Sequence, residues 1–181
     1  DNGEMWIATQ NGIAQMVSNE RLGKITFINY NITDGLGGDV FLQLTSAKGS
    51  DGSYYFGGDH GLTTFKSIKA NKTPPNLIFS DLLISNQSVF DPEVQSLLPG
   101  SILDAKEIVL PFDKNNLSFE FAALHYANPK KNQYAHMLKG YDKDWIYDNR
   151  TFASYTNLDP GEYEMMIRGS NAYGIWNEEG T

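Results

Sequence analysis

Two segments of this chain follow the same pattern at a constant offset of 49 residues, and this repeat limits the possible folds. Residues 3–16 (GEMWIATQNGIAQM) match residues 52–65 (GSYYFGGDHGLTTF). Each copy predicts a turn, a short strand, small residues, a glycine turn and a second strand. The repeat aligns Trp6 with Tyr55 and Gly12 with Gly61. Periods of about 40–50 residues with glycine and aromatic punctuation are typical of β-propeller blades.

Two further strand-like segments lie between the copies, at residues 24–30 (KITFINY) and 39–45 (DVFLQLT). With the following turn and aromatic strand, they predict one four-stranded blade. We therefore predict that residues 1–73 form the last one or two blades of a β-propeller. A small β-meander over residues 1–70 is the alternative, because a stack of repeats normally needs about three copies to bury its core.

The character of the sequence changes after Lys72, at Thr73-Pro74-Pro75. Proline lacks the N–H that a central strand must donate, so this triplet predicts a domain boundary. Residues 117–121 alternate apolar and polar side chains, as a half-buried strand does. Six or seven such strands predict an immunoglobulin or fibronectin III-like β-sandwich over residues 74–181. The strand candidates are 77–85, 106–110, 116–123, 133–138, 153–157 and 162–168, with a long loop over 91–104 that holds one helical turn.

The charge of the chain limits the partners that it can bind. The net charge is −8 and the chain contains no cysteine. Nucleic-acid binding requires a basic face that displaces counterions from phosphates, and the sequence predicts none. The absence of cysteine excludes disulfides and thiolate zinc sites. No run of about 18 apolar residues indicates a membrane helix.

Seven of the ten tyrosines fall between Tyr126 and Tyr173. Such a cluster could stack on the faces of sugar rings or pack inside a sandwich. The segment 158–163 (LDPGEY) has the form of a tyrosine corner, in which a Tyr hydroxyl bonds the backbone of the preceding loop. We therefore predict a structural role for Tyr163. For Tyr134, Tyr141, Tyr155 and Trp145, packing is also favoured over ligand contact.

Three histidines and an acidic cluster are the candidates for catalysis or metal binding. His60, His125 and His136 have no spacing typical of a metal pair, which favours ordinary turn and strand histidines. The cluster of Asp142, Asp144 and Asp148 fails as a calcium loop, because the glycine and glutamate that such a loop requires are missing. A solvated acidic loop is predicted instead, and nearby basic residues could balance it: Lys139, Lys143 and Arg150. We predict no catalytic residue, no metal site and no cofactor.

The ordered set of motifs resembles a known family. Residues 115–126 (NNLSFEFAALHY), 134–145 (YAHMLKGYDKDW), 155–163 (YTNLDPGEY) and 168–176 (RGSNAYGIW) resemble the Y_Y_Y domain. The repeat before them resembles two-component regulator propeller repeats. The residues that carry the resemblance are Tyr134, Tyr141, Trp145, Tyr155, Pro160, Gly161, Tyr163, Asn171, Gly174 and Trp176, with Trp6, Gly12, Tyr55 and Gly61 in the repeat. The name-giving tyrosines map best onto Tyr134, Tyr155 and Tyr163, with Tyr141 as an alternative for one of them.

This resemblance implies the periplasmic sensor region of a hybrid histidine kinase that responds to glycan breakdown products. The parent receptor would be anchored in the inner membrane, would dimerise, and would regulate transcription through its kinase and regulator domains. An oligosaccharide would bind the complete ectodomain, but the sequence does not identify the contact residues. The resemblance also implies that the sandwich lacks its last strand. Two other interpretations are a fibronectin III-like accessory or carbohydrate-binding module of a secreted glycan-degrading protein, and an enzyme that uses the acids at 142–148.

Overall fold

A computed structural model describes residues 5–19, 24–66, 68, 71–96 and 105–181. The chain divides into two compact units, residues 1–70 (unit 1) and residues 71–181 (unit 2). The division lies three residues before the boundary predicted at Thr73-Pro74. Strands dominate both units. Across the described residues, no helix has the length and apolar character needed to cross a bilayer.

Unit 1 contains two three-stranded antiparallel sheets in the described residues, with orders β1-β2-β3 and β4-β5-β6. Their strands are β1 (Met5–Thr9), β2 (Gly12–Asn19), β3 (Lys24–Tyr30), β4 (Phe41–Lys48), β5 (Tyr54–Gly58) and β6 (Gly61–Phe65).

The offset of 49 residues that defines the repeat maps β1 onto β5 residue for residue, and it maps the first residue of β2 onto the first residue of β6. Gly12 and Gly61 open these second strands with φ of +98° and +107°. Glycine adopts such angles without the steric cost that a Cβ imposes, so both hairpins require it.

The structure differs from the predicted single four-stranded blade. The segments predicted between the two copies, β3 and β4, belong to different sheets. A 3₁₀ turn at Ile32–Asp34 separates them, and Asn31 caps it by accepting a hydrogen bond from the Thr33 N–H. Gly35 then adopts a φ of 96°. The capped turn and the left-handed glycine redirect the chain between the two strands, which do not pair with each other.

The two sheets of unit 1 share an aromatic core. Phe56 lies parallel to Phe65 with ring centroids 5.8 Å apart. Trp6 of the first sheet meets Phe65 edge-on at 4.8 Å. Ile13 and Phe41 complete the buried cluster. Such offset and edge-on aromatic pairs contribute beyond their buried area.

Equivalent positions of the repeat differ in burial. Phe56 is 3% exposed, whereas Ile7, its equivalent in the first copy, is 38% exposed. Tyr54 and Phe65 pack against the shared core, whereas Met5, the equivalent of Tyr54, is exposed. The first sheet therefore exposes to solvent the face that is equivalent to the buried face of the second sheet.

Unit 2 is a sandwich of two four-stranded antiparallel sheets, with orders β12-β9-β7-β8 and β11-β10-β13-β14. Its elements are β7 (Leu77–Ile84), β8 (Gln87–Ser88), α1 (Pro92–Gln95), β9 (Leu117–Ala123), β10 (Tyr134–Lys139), β11 (Ile146–Asp148), β12 (Phe152–Tyr155), β13 (Glu164–Ser170) and β14 (Trp176–Asn177).

The main core of unit 2 lies between its two sheets. Phe121 and Tyr155 contribute from one sheet, and Leu138 and Ile167 contribute from the other. Leu117 and Phe119 pack around the same cluster, in agreement with the alternation seen in the sequence. Burial of these side chains supplies the main drive for folding of unit 2, at about 25 cal/mol per Å² of apolar surface.

One predicted strand is absent, and a further strand, β14, starts at Trp176, as the sequence predicts. Residues 106–110 form no strand, although Ile108 and Leu110 pack against a second cluster around Leu82 and Val94. These side chains are apolar because they cover that cluster, not because they join a ladder. Part of the predicted loop at 91–104 lies outside the described residues. At the other sheet, β14 pairs with β13, and Thr181 exchanges two backbone hydrogen bonds with Ile167.

The repeat provides a matched pair of substitutions in unit 1. Phe56→Ala should lower its free energy of unfolding by about 3 kcal/mol, because it opens a cavity in the shared core. Ile7→Ala, at the equivalent but exposed position, should cost less than about 1 kcal/mol. Denaturant unfolding followed by Trp6 fluorescence measures both, with Trp145 and Trp176 replaced by Phe in the parent and in both variants. Equal losses would contradict the described packing.

Candidate functional site

The candidate site of unit 2 is the set of tyrosine and asparagine side chains that bond the backbone at the ends of its strands. Tyr163 lies directly before β13, and its hydroxyl donates a hydrogen bond to the carbonyl oxygen of Asp159 at 2.9 Å. Its ring packs against Gly161 and Gly140. A Cβ added at these glycines would come within 3.5 and 3.2 Å of the ring, respectively. Pro160 lies in the exposed bend between β12 and β13. This geometry is that of a tyrosine corner.

Tyr155 joins a second tie at the end of β12. It is buried, and its hydroxyl donates to Oδ2 of Asp142 at 2.7 Å. The same oxygen accepts the N–H of Leu138 at 2.8 Å. Burial and the bond to Asp142 raise the pKa of Tyr155 well above its usual value, so the phenol stays neutral. Asp142 thus shapes the turn after β10.

The other aromatic residues of the family pattern occupy different environments. Tyr134 is buried in the core, and its hydroxyl accepts the N–H of Ala123 at 3.3 Å. Tyr141 is 56% exposed and meets the ring of Tyr155 edge-on at 5.5 Å.

The tryptophans of the pattern pack against side chains of neighbouring strands. The guanidinium carbon of Arg168 lies over the ring of Trp145, 4.2 Å from the ring centroid. Trp176, the first residue of β14, meets Tyr147 edge-on at 5.5 Å.

Asn171 has the most hydrogen bonds among the residues of the family pattern. It follows β13, it is fully buried, and its Oδ1 accepts the N–H groups of Tyr173 and Ile175 at 2.9 and 3.1 Å. Its Nδ2 donates to the carbonyl oxygens of Asn71 and Thr73 at 2.8 and 2.9 Å. Gly174, with a φ of +73°, closes the turn that Asn171 opens.

The acidic loop has a more specific structure than the sequence predicts. Asp148 pairs with Arg150 at 2.7 Å, as the sequence allows. Lys139 instead pairs with Glu164 across the β10–β13 ladder at 2.8 Å. Asp142 has the structural role described above. Among the described residues, no group of three or more histidine and acidic side chains could hold a metal ion.

The three histidines lie in three different settings. His60 is in the exposed turn between β5 and β6, where its Nδ1 lies 2.6 Å from Asp59. His125 follows β9 and is buried. His136 lies in β10, 4% exposed, with its ring between those of Phe121 and Tyr155. Its Nδ1 has no hydrogen-bond partner in the described part of the chain.

The aromatic repeat residues of unit 1, Trp6 and Tyr55, lie in or beside its aromatic core. Trp6 contacts Tyr30, Tyr54 and Phe65. Tyr55 lies in β5 beside the core residue Phe56, and its side chain is half-buried. A shallow, open cleft at Gly37, Gly58 and His60 has an accessible volume of about 10 Å³, which is room for about one water molecule.

Two functional roles were missed from the sequence. From the sequence, Asn171 is predicted only as a residue of the family pattern, and Asp142 only as part of a solvated loop. The carbonyl acceptors of the Asn171 amide lie 98 and 100 positions away, so local pattern analysis carries no signal for this contact. Asp142 lies four residues after Leu138, which is compatible with an Asp side chain that bonds a nearby backbone N–H and could have indicated the turn.

Comparison with known proteins gives three findings. The Y_Y_Y domain matches residues 125–181. Histidine kinase P4 of Formosa agariphila is 30% identical over 179 residues, which cover 98% of this chain and 13% of that protein.

The third finding is structural. The extracellular domain of a protein described as a hybrid two-component system, from B. thetaiotaomicron, has a TM-score of 0.74 at 22% identity and covers 100% of this chain and 24% of that one. A second such domain from the same organism has a TM-score of 0.54 at 25% identity, with coverage of 99% and 23%.

These findings confirm the resemblance and the all-β fold predicted from the sequence. The Y_Y_Y match includes three of the ties described above, those of Tyr155, Tyr163 and Asn171. The chain spans about an eighth of the histidine kinase and about a quarter of each structural relative.

The corner can be tested by removing one oxygen atom. Tyr163→Phe keeps the ring but loses the bond to Asp159, and it should lower the free energy of unfolding of unit 2 by about 1 kcal/mol. Tyr141→Phe, at an exposed ring, should change it by less than about 0.5 kcal/mol. Thermal or urea unfolding gives both values. A Tyr163→Phe variant as stable as the parent would show that the corner contributes nothing.

His136 should make unit 2 sensitive to acid. Burial lowers the pKa of His136 below its ordinary value of 6.5, against the opposing effect of Asp148 and Asp142. The unfolded chain therefore takes up a proton first, and stability present above pH 6.5 should fall as the pH drops below it. Urea titrations between pH 8 and 5 should show a shallower slope in His136→Gln. His60→Gln should keep the parental slope of the unit 2 transition, because His60 lies in unit 1, where the bond to Asp59 raises its pKa and so acts with the opposite sign on that unit. Equal slopes of the unit 2 transition in all three proteins would contradict this assignment.

Proposed function

We propose that this chain is a non-catalytic segment of the extracytoplasmic sensor of a two-component receptor, and that it transmits a signal toward the membrane. The observation that carries the proposal is the similarity to histidine kinase P4, which extends over both units at 30% identity. The Y_Y_Y match within unit 2 supports the same assignment. The parent protein would be a hybrid histidine kinase located in the inner membrane, with this segment in the periplasm.

The structure suggests how such a segment would work. The described side chains with unusual environments serve packing and backbone ties: Tyr155 and Tyr163 bond the backbone or a carboxylate that shapes a turn. None of them lines a cleft of ligand size. A change in the position of unit 2 within a receptor dimer, rather than a reaction, would therefore carry the signal.

We further propose that the signal is a glycan-derived oligosaccharide that binds the complete ectodomain. This step rests on the resemblance of the repeat and sandwich motifs to glycan-responsive receptors. A secreted accessory module was the alternative from the sequence. The similarity to a histidine kinase across units 1 and 2 favours the receptor, because an accessory module has no reason to carry the propeller-like unit 1.

Calorimetry separates these possibilities. The 181-residue chain should show no measurable heat with oligosaccharides, because it spans about an eighth of the related histidine kinase and its described cleft at His60 has room for about one water molecule. The complete ectodomain should bind one class of oligosaccharide, and the same ligand should change autophosphorylation of the membrane-embedded receptor. Tight binding by the 181-residue chain would favour a carbohydrate-binding module, and a parent gene without kinase motifs would overturn the receptor assignment.

A further inference from the structure

The first segment of unit 2 is held by side chains from near its last strand. We define the leading segment as residues 71–75, through which the chain enters unit 2 before β7. Asn171 Nδ2 donates to the carbonyl oxygens of Asn71 and Thr73. Asn177, in β14, donates from its Nδ2 to the carbonyl oxygen of Pro75 at 3.0 Å. Three bonds thus join backbone to side chains about 100 positions away.

Besides these bonds, the leading segment is attached by the burial of Pro75 at its end. Residues 71–74 are exposed, and the two prolines supply no backbone N–H to a ladder. The prolines also fix φ and make the segment stiff. The Thr73 N–H bonds the Asn71 side chain at 2.9 Å, which sets a local turn. A stiff segment without ladder bonds moves with the groups that bond its carbonyl oxygens. Here these groups are the side-chain amides of Asn171 and Asn177.

The holding residue is itself fixed in place. Asn171 is 0% exposed, and each side-chain atom that can form hydrogen bonds has two partners. A buried amide with every bond formed is costly to displace, because each lost partner leaves an unsatisfied polar group. Its backbone N–H also bonds the carbonyl oxygen of Ile175 at 3.0 Å. The turn that leads into β14 and the leading segment therefore share one anchor.

We propose that Asn171 is a coupling residue, which joins the leading segment and the β13–β14 connection into one mechanical body. A displacement of the chain before unit 2 then moves the β14 edge directly, without passing through the sandwich core. Asn177 is the second contact of the same coupling. The proposal rests on the proposed function, because coupling matters for signalling only if unit 2 transmits a displacement.

An Asp substitution separates the coupling from the turn. In Asn171→Asp the carboxylate still accepts the N–H groups of Tyr173 and Ile175, but it cannot donate to Asn71 and Thr73. The matched control is Asn132→Asp. Asn132 is also buried in unit 2, and its Nδ2 donates to the carbonyl oxygen of His125 at 3.2 Å, not to the leading segment. Both variants gain the same charge. The Oδ1 of Asn132 has no hydrogen-bond partner among the described residues, so the control buries its charge with less support than Asn171→Asp does, and it leaves the bonds to Asn71 and Thr73 in place.

Spin-label distances measure the coupling. The chain has no cysteine, so Lys72→Cys and Glu179→Cys, both exposed, give a defined nitroxide pair. The 181-residue chain should give one narrow distance distribution. Asn171→Asp should lose the narrow peak, and Asn132→Asp should keep it. A broad distribution in the parent, or a narrow one in a folded Asn171→Asp protein, would overturn the proposal.

The complete receptor separates coupling from function. With Asn171→Asp, ligand binding to the ectodomain should be unchanged, while ligand-dependent autophosphorylation should be lost. A released leading segment with full signalling would overturn the coupling role and leave the receptor assignment intact. A parent protein without kinase activity would sink the receptor assignment, and the distance distributions would still decide whether the segment is held.

Discussion

The organisation of unit 2 depends on buried polar side chains that bond the backbone where strands end. The apolar core between the sheets supplies most of the driving force, but it is non-directional and does not fix how loops cross from one sheet to the other. The fixed geometry comes from the hydrogen bonds of two buried residues, Asn171 and Tyr155, and of the half-buried Tyr163. Because an unsatisfied buried group is costly, loss of the ties of Asn171 or Tyr155 destabilises unit 2 more than loss of the tie of Tyr163.

The two units use different solutions to the same problem. In unit 1, repeated hairpins and an aromatic core position the strands, and polar ties such as the cap at Asn31 and the bond between Tyr30 and Gln15 add to them. The first sheet exposes Met5 and Ile7 on the face that its repeat equivalent buries, which fits a stack of similar sheets. In the described part of unit 2, eight strands of unequal length surround a main core and a second cluster, and the connections between them are not repeated. That difference is consistent with a repeated sensor part followed by a transmitting part.

Much of the fold could be predicted from local signals. The repeat indicated β1 and β5 because glycines and aromatics recur at a fixed offset, and the LDPGEY motif indicated the corner because turn residues precede a tyrosine. Alternation over residues 117–121 indicated β9. Residues 106–110 are apolar enough to be predicted as a strand, but the side chains of Ile108 and Leu110 cover a core cluster instead. The division of β3 and β4 between two sheets depends on the cap at Asn31, which strand patterns do not include.

The candidate site was less predictable, because its contacts are non-local. Asn171 bonds residues 98 and 100 positions earlier, so its role exists only in the folded chain. The central claim is that this one amide holds both the turn before β14 and the leading segment. Amide hydrogen exchange of the 181-residue chain tests it most directly. We expect the side-chain amide protons of Asn171 and the N–H groups of Tyr173 and Ile175 to be as protected as the N–H groups of the β10–β13 ladder. Exchange at any of these positions as fast as in the exposed bend at Lys143 would contradict the account.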